Sequence, residues 1–217
     1  MCNIGQRLPA DELSIEQIRA FFAKSNKFSW VNLSGGEIFL RKDLEGIIES
    51  LFKNCRRLCV LDFPTNGFAT DRIVETVKKI TAYYKPPRLI VTVSIDGPPA
   101  LHDKIRNTPG SWERAVETFR KLRVLQNRNF RVFAGMTLQE ANLDKFRETF
   151  ISVREKVNGL QYTDFHVNLA QKSAHYYGKD DFKPLPKDAG SKLESIARLP
   201  KRRLWDAVSF LERRYQY

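Results

Sequence analysis

Two hydrophobic periodicities alternate along the chain and predict a regular succession of helices and strands. Residues 14–22 carry apolar side chains at helical spacing, and Ser14 with Gln17 forms a capping-box pattern at their start. Short β-branched or aromatic runs predict strands at 30–34, 58–63, 89–95, 130–138 and 165–169. Helical stripes fill the intervals at 43–52, 70–84, 111–125 and 142–157, with Asp43, Ser111 and Asn142 as predicted N-caps.

This alternation predicts an α/β fold, because parallel strands need crossover connections and helices commonly supply them. We expect a mostly parallel sheet that forms part of a barrel or an open doubly wound sheet. In both architectures the chemistry lies at the carboxyl ends of the strands. We expect residues 1–178 to form this core and residues 179–217 to form a basic helical extension or linker.

The amino-acid composition indicates what kind of protein this is, but it does not identify an activity. The chain has 217 residues, 42% of them hydrophobic, which suits one globular domain. It contains no apolar run of membrane-spanning length, and its first residues lack the apolar segment of a signal peptide. Three cysteines do not make a disulfide framework, so we expect a reducing, cytoplasmic location.

The net charge of +12 favours an anionic partner. The basic segment 179–217 lacks the aromatic interleaving that is typical of single-strand binding, so we expect no nucleic-acid partner. A basic nucleic-acid-binding α/β domain nevertheless stays open as an alternative.

Four of the predicted strands carry polar residues at or near their ends. Ser34-Gly35-Gly36-Glu37 combines backbone that a ligand can approach with a carboxylate, and Thr65-Asn66-Gly67 follows the next strand. Ser94 and Asp96 lie two residues apart and therefore on one strand face, as do Asp164, His166 and Asn168. Each set fits either a ligand site or a satisfied buried polar network.

In this order, and with Leu101-His102-Asp103-Lys104-Ile105-Arg106 after the third strand, the loops resemble those of radical S-adenosylmethionine (SAM) enzymes. The resemblance covers Cys2 to about Asn168. Within this family, the chain resembles most specifically the branch that includes molybdenum-cofactor biosynthesis enzymes and SPASM-type peptide-modifying enzymes. The resemblance implies a partial (β/α)₆ TIM-like barrel. It also implies a [4Fe–4S] cluster held by three cysteines, whose reduction cleaves SAM to a 5′-deoxyadenosyl radical.

The resemblance assigns roles to residues by position. Gly35, Gly36 and Glu37 match the loop that receives the SAM amino group, although Ile38 replaces the family's usual proline. Asn66 matches a polar position near the cofactor, and Ser94 and Asp96 match positions near the ribose hydroxyls. Arg106 is the candidate for the SAM carboxylate, because a guanidinium pairs with a carboxylate bidentately. Thr137 and Asn168 are candidates for contact with adenine or substrate.

Cys2 matches the third cysteine of the cluster loop, since Met1 precedes it and Asn3-Ile4 follow it as is common in this branch. We therefore expect the first barrel strand and the other two cluster cysteines to lie before residue 1, so that this chain alone holds a cluster poorly. Cys55 and Cys59 have C-x3-C spacing but no third cysteine follows, and we expect both to be ordinary buried thiols.

The leading hypothesis is therefore a radical SAM enzyme core acting on an unknown small molecule or peptide, with a reductant such as a flavodoxin or ferredoxin. A barrel that binds SAM without catalysing redox chemistry is the other alternative. No partner membrane is expected.

Overall fold

The computed structural model describes residues 12–170, and the following elements lie within that range. The helices are α1 (Ile15–Lys24), α2 (Leu44–Asn54), α3 (Thr70–Lys79), α4 (Pro99–Arg106), α5 (Ser111–Val124) and α6 (Phe146–Lys156). The strands are β1 (Trp30–Asn32), β2 (Val60–Thr65), β3 (Arg88–Ser94), β4 (Phe130–Leu138) and β5 (Phe165–Leu169). A π-helical turn at Ile80–Tyr84 extends α3, and 3-10 turns occupy Ile38–Leu40 and Tyr162–Asp164.

The five strands form one parallel sheet in the order β1-β2-β3-β4-β5, which confirms the predicted α/β class and parallel sheet. Each strand pairs with the next strand along the chain, and within residues 12–170 the sheet does not close. Parallel strands bring their carboxyl ends to one edge, as they do in a partial TIM-like barrel. We call this edge the carboxyl edge and the opposite one the amino edge.

The two faces of the sheet differ in burial. Alternate residues of β3, such as Leu89, Val91 and Val93, are fully buried and belong to the hydrophobic core that the helices cover. The residues between them, including Thr92 and Ser94, are only half-buried. The sheet therefore buries one face under the helices and keeps polar groups on the other, to which we refer as the open face.

Pro64 lies inside β2, where the sequence pattern predicts the strand to have ended. The Leu33 N–H donates to the Asp62 carbonyl oxygen at 2.9 Å, so this side of β2 faces β1. Pro64 is two residues further on and points the same way, beyond the last residue of β1. Its missing N–H therefore removes no ladder hydrogen bond, and the proline is tolerated.

Ser14 caps α1 as predicted, with both capping-box hydrogen bonds formed, but two other predicted caps are wrong. Ser111 is the first residue of α5, and the cap comes from Asp103, whose carboxylate accepts the N–H groups of Gly110 and Trp112 at 2.6 and 2.8 Å. Asn142 precedes α6 by several residues and does not cap it. Local sequence signals miss a cap when a residue of another helix supplies it.

Gly67 sets the distance between β2 and α5. Its φ is +75°, and a Cβ built there would lie 2.8 Å from the Ala115 Cα and 2.9 Å from the Val93 Cγ1. The Thr118 hydroxyl donates to the Gly67 carbonyl oxygen at 2.6 Å. A glycine is therefore needed both for the left-handed backbone and for the close approach of the helix.

Among the described residues no helix is long and apolar enough to cross a membrane. The predicted extension at 179–217 lies outside the described residues.

Candidate functional site

The Glu37 carboxylate joins the loop after β1 to the end of β2 by hydrogen bonds. Its carboxylate accepts the Thr65 hydroxyl at 3.0 Å and the Asn66 N–H at 2.6 Å. Burial raises the pKa of Glu37, because it penalises the charged form more than these hydrogen bonds and the charge of Arg106 favour it. The Glu37 carboxylate is therefore a structural tie at the carboxyl edge as well as a charge beside any ligand there.

The backbone next to Glu37 is accessible. Gly35 has a φ of +148°, and a Cβ built on it would meet no heavy atom within 4 Å. Gly36 is exposed as well. Asn66, at the end of the neighbouring strand, is exposed, and its Oδ1 accepts the Phe68 N–H at 2.8 Å, which leaves its amide nitrogen without a hydrogen bond to residues 12–170. These groups form an open polar surface over the ends of β1 and β2.

Asp96 lies two residues beyond β3, which ends at Ser94, so it does not share a strand face with Ser94 as predicted. It is the centre of a hydrogen-bond network. It is 0% exposed. One carboxylate oxygen accepts the Arg106 Nε at 2.7 Å and lies 2.6 Å from Arg106 Nη2, and the other accepts the Thr137 N–H at 2.9 Å. Oδ2 is shared by two nitrogens of Arg106, and Oδ1 keeps a second acceptor position. Because the carboxylate is fully buried, it can reach ribose hydroxyls only if the side chains that cover it move.

Arg106 is held along one edge of its guanidinium and available along the other. Nε and Nη2 are paired with Asp96, and Nη1 makes no hydrogen bond to the described part of the chain. The side chain is 24% exposed. A guanidinium in this position can present two further N–H donors to an anionic group at the carboxyl edge.

Two residues that the sequence did not mark as site residues complete the network. Asn142 is 0% exposed, and its Nδ2 donates to the carbonyl oxygens of Asp96 and Thr137 at 2.7 and 3.0 Å. His102, which lies in α4 and not in a loop, accepts the Asp96 N–H at its Nδ1 at 3.0 Å. The ends of β3 and β4 and helix α4 are thereby locked together.

His102 is neutral in this position. It is 1% exposed, and burial lowers its pKa from 6.5 to about 4. Because Nδ1 accepts a hydrogen bond, the proton lies on Nε2, and this buried atom has no partner among residues 12–170.

The remaining candidate residues lie on the open face near the carboxyl edge. The register aligns Ser94 with Gly135 and His166, and Thr137 with Asn168. The side chains of Ser94, Thr137 and Asn168 make no hydrogen bond to the described residues, so their polar groups are available. A Cβ on Gly135 would lie 2.5 Å from the Thr92 Cγ2, so this position of β4 requires a glycine.

His166 stacks on Phe133 with 3.8 Å between ring centroids, and burial lowers its pKa to about 4. Asp164 lies before β5 and not on it, where it forms an ion pair with Arg123. Only His166 and Asn168 of the three polar residues predicted on this strand therefore face the site.

The cysteines do not gather into a metal site within residues 12–170. Cys55 is buried, and burial raises the pKa of its thiol. Cys59 is exposed, which corrects the prediction that both are buried. No group of three potential metal-ligating side chains occurs in the described part. Cys2 lies outside it.

The fold and the position of the site define an α/β partial barrel with a polar carboxyl edge. The same fold occurs in native anSMEcpe, a radical SAM anaerobic sulfatase-maturating enzyme, solved with bound AdoMet and the Kp18Cys peptide. That structure matches 86% of this chain and 50% of its own, with a TM-score of 0.56 and 19% identity. The same enzyme with AdoMet alone matches 73% of this chain and 42% of its own, with a TM-score of 0.49 and 19% identity.

The chain thus spans half or less of the solved structures that it matches. At this identity the similarity establishes the fold. No protein-family model matches the chain, and no curated protein matches it significantly.

Proposed function

We propose that this chain is the core of a radical SAM enzyme and that its carboxyl edge binds SAM. The observation that carries the proposal is the guanidinium of Arg106, which a fully buried carboxylate orients while Nη1 stays without a partner in residues 12–170. The fold shared with anSMEcpe and the order of the polar loops along the strands support it.

Each part of SAM is assigned to the residues whose chemistry suits it. Arg106 pairs with the SAM carboxylate, and the exposed Gly35-Gly36 backbone accepts hydrogen bonds from the ammonium group. Ser94 offers an unpaired hydroxyl to the ribose, and Asp96 positions Arg106 instead of touching the sugar. Asn66, Thr137 and Asn168 lie along the same edge and contact adenine or substrate.

A [4Fe–4S] cluster, when bound and reduced, supplies the electron that cleaves SAM to a 5′-deoxyadenosyl radical. We propose Cys2 as one of its thiolate ligands. Residues 12–170 contribute no set of three ligands, and the thiols of Cys55 and Cys59 differ in burial, so neither is assigned to the cluster. The substrate is proposed to be a small molecule or a peptide, and the reductant a flavodoxin or ferredoxin.

SAM binding is tested by calorimetry with SAM and with decarboxylated SAM, which lacks only the carboxylate. The chain is expected to bind SAM at least about tenfold more tightly than decarboxylated SAM. A factor of this size corresponds to the free energy of one charge-assisted hydrogen bond. The double variant Asp96→Asn/Arg106→Gln, which removes both charges together, is expected to lose this preference and to bind decarboxylated SAM unchanged.

The matched control is Asp43→Asn/Arg41→Gln. Arg41 is also paired with a neighbouring carboxylate and is also 24% exposed. Equal affinity of the unmodified chain for both ligands contradicts the assignment of Arg106, and so does loss of the preference in the control variant.

The alternative of a SAM-binding barrel without redox chemistry is separated by iron content. In the longest polypeptide that the gene encodes, Cys2→Ala is expected to abolish the iron and sulfide retained after anaerobic reconstitution. Unchanged iron in this variant refutes Cys2 as a ligand, and SAM binding without any iron favours the non-catalytic barrel.

A further inference from the structure

The amino edge of the sheet, opposite the candidate SAM site, brings together five short loops that are far apart in sequence. These loops are residues 25–29, 55–59, 85–87, 125–129 and 157–161. Backbone groups join them: the Cys59 N–H donates to the Ser29 carbonyl oxygen at 2.7 Å, and the Leu89 N–H to that of Asn129 at 2.7 Å. Arg123 Nη2 reaches the Gly159 carbonyl oxygen at 3.2 Å. The pairing of each strand with the next places the loops of neighbouring strands side by side along this edge.

All charged side chains of the five loops are positive. The five loops contain no aspartate or glutamate. They expose the basic side chains of Lys27, Arg56, Arg57, Lys85 and Arg128. None of these five forms an ion pair within residues 12–170. Seen along the sequence they are single residues or pairs, and only the parallel sheet assembles them.

Two further arginines extend the surface onto the first residues of the strands. Arg88 begins β3, and its Nη1 donates to the Arg128 carbonyl oxygen at 3.2 Å, which ties it to the neighbouring loop. Arg131 is exposed on the open face of β4. The nearest carboxylate along β2, Asp62, is already hydrogen-bonded to Trp30 and Asn32. Neither Arg88 nor Arg131 forms an ion pair with a carboxylate of residues 12–170.

The other exposed side chains of the loops are mostly neutral hydrogen-bonding groups, such as Asn26, Asn127, Asn158 and Gln161. Arginine, lysine, asparagine, glutamine and serine are the side chains that contact nucleic-acid phosphates. The loops themselves expose no aromatic or large aliphatic side chain, whereas protein interfaces have apolar anchors at their centre. The exposed hydrophobic side chains beside the loops, Phe21, Tyr83 and Val124, lie on three different helical segments. Phe28 is half-buried against Phe21 and Phe22, so no stacking platform for single strands is present in the loops.

We propose that the amino edge binds the phosphate backbone of a nucleic-acid duplex without reading its sequence. The basic side chains stand before four adjacent strands, β1 to β4, which lie about 4.8 Å apart, so they present charge over about 14 Å. A duplex carries one phosphate charge per about 1.7 Å of its axis, so several phosphates face this surface at once. The loops are short and none projects a helix or hairpin that would enter a groove. The proposal departs from the expectation drawn from segment 179–217 alone.

The competing explanation is local, because the helices of a parallel α/β fold end at the same edge. Basic residues there offset the partial negative charge of helix C-termini. The two explanations make different predictions: helix stabilisation changes the melting temperature, and phosphate binding changes affinity and its salt dependence.

The test uses fluorescence anisotropy of the 217-residue chain with one DNA duplex and one RNA duplex between 50 and 200 mM salt. The variant removes four charges as Arg56→Gln/Arg57→Gln/Arg128→Gln/Arg131→Gln. The slope of log affinity against log salt is expected to become shallower by about 3 to 4, since each phosphate that is no longer neutralised reduces it by close to one unit. The same four positions changed to lysine are expected to keep the slope, because lysine also binds phosphate as a point charge.

The control is Lys42→Gln/Arg147→Gln, which removes two charges instead of four from the carboxyl side of the molecule. Both side chains are exposed, and neither forms an ion pair in the described residues. The control is expected to leave the slope within about one unit. If the glutamine variant does not fold, the single changes Arg57→Gln and Arg128→Gln are each expected to reduce the slope by about one.

The proposal is overturned if the chain does not bind either duplex at 50 mM salt, or if the control weakens binding as much as the four-residue variant. It is also overturned if polyglutamate binds as tightly as a duplex of equal charge, since the surface is then selective only for negative charge. A lowered melting temperature with unchanged affinity assigns the arginines to the helix ends. None of these outcomes bears on SAM binding at the opposite edge.

Discussion

Substituting Asp96 and Arg106 singly and together tests how much their ion pair stabilises the carboxyl edge. Asp96 is 0% exposed, whereas the Arg106 side chain is 24% exposed. Arg106→Gln leaves a carboxylate unpaired in the interior, which costs about 3–5 kcal/mol. Asp96→Asn leaves a guanidinium that water can reach, and it keeps the acceptor for the Thr137 N–H. We expect a smaller loss for this variant, about 2–3 kcal/mol, one charge-assisted hydrogen bond.

The double variant Asp96→Asn/Arg106→Gln leaves no uncompensated charge, so the two losses should not add. We expect the double variant to be more stable than the sum of the single changes predicts by about 1–3 kcal/mol. Urea unfolding of the four proteins, with equal m-values as the condition for comparison, measures this coupling energy.

The ion pair between Arg41 and Asp43 provides the control cycle. Both of its side chains are partly exposed, at 24% and 34%, so its coupling energy should stay below about 1 kcal/mol. Additive effects at Asp96 and Arg106, or a coupling energy no larger than that of the control pair, would refute the view that the buried carboxylate organises this edge.

Three further predictions concern single residues. Gly67→Ala is expected to cost about 2–4 kcal/mol, since it adds steric overlap to a left-handed backbone, whereas Gly110→Ala, with the same φ of +75° but open space, should cost about 1 kcal/mol; thermal unfolding compares them. His102 should make the protein less stable as the pH falls from about 6.5 to about 4, by about 3 kcal/mol in total, because its pKa is lowered to about 4 in the folded state. The loss levels off below pH 4 and should be absent in His102→Asn, as pH-dependent urea unfolding will show. A thiol reagent should label Cys59 in the folded protein and Cys55 only after unfolding, which peptide mass mapping measures.

Periodicity predicted the fold because the fold is made of repeated local units. Strand β4 was predicted with its observed bounds, since the polar residues Asn129 and Gln139 flank its mostly apolar run. Strand β5, with its alternating apolar and polar residues, was also predicted with its observed bounds. The Ser14 cap was predicted because both of its partners lie within three residues. Helix α4 was not predicted: it has eight residues and begins beside two prolines.

The candidate site was only partly predictable for a physical reason. Parallel strands place successive loops at one edge, so the sequence was sufficient to bring Glu37, Asp96 and Arg106 to the same region. It did not show which polar groups would bind each other. The tie from Glu37 to Thr65 and the contacts of Asn142 with β3 and β4 depend on distances between segments that no local pattern encodes.

The sequential strand order also bears on how the chain folds. Paired residues such as Trp30 and Val60, or Leu89 and Phe130, lie about 30 to 40 residues apart in the sequence. Each described strand pairs only with strands next to it along the chain. During synthesis each new strand can dock on the one completed just before it, so the sheet can grow in the order of translation. A ribosome-bound chain arrested after α5 should therefore already hold β1 to β3 in their native pairing.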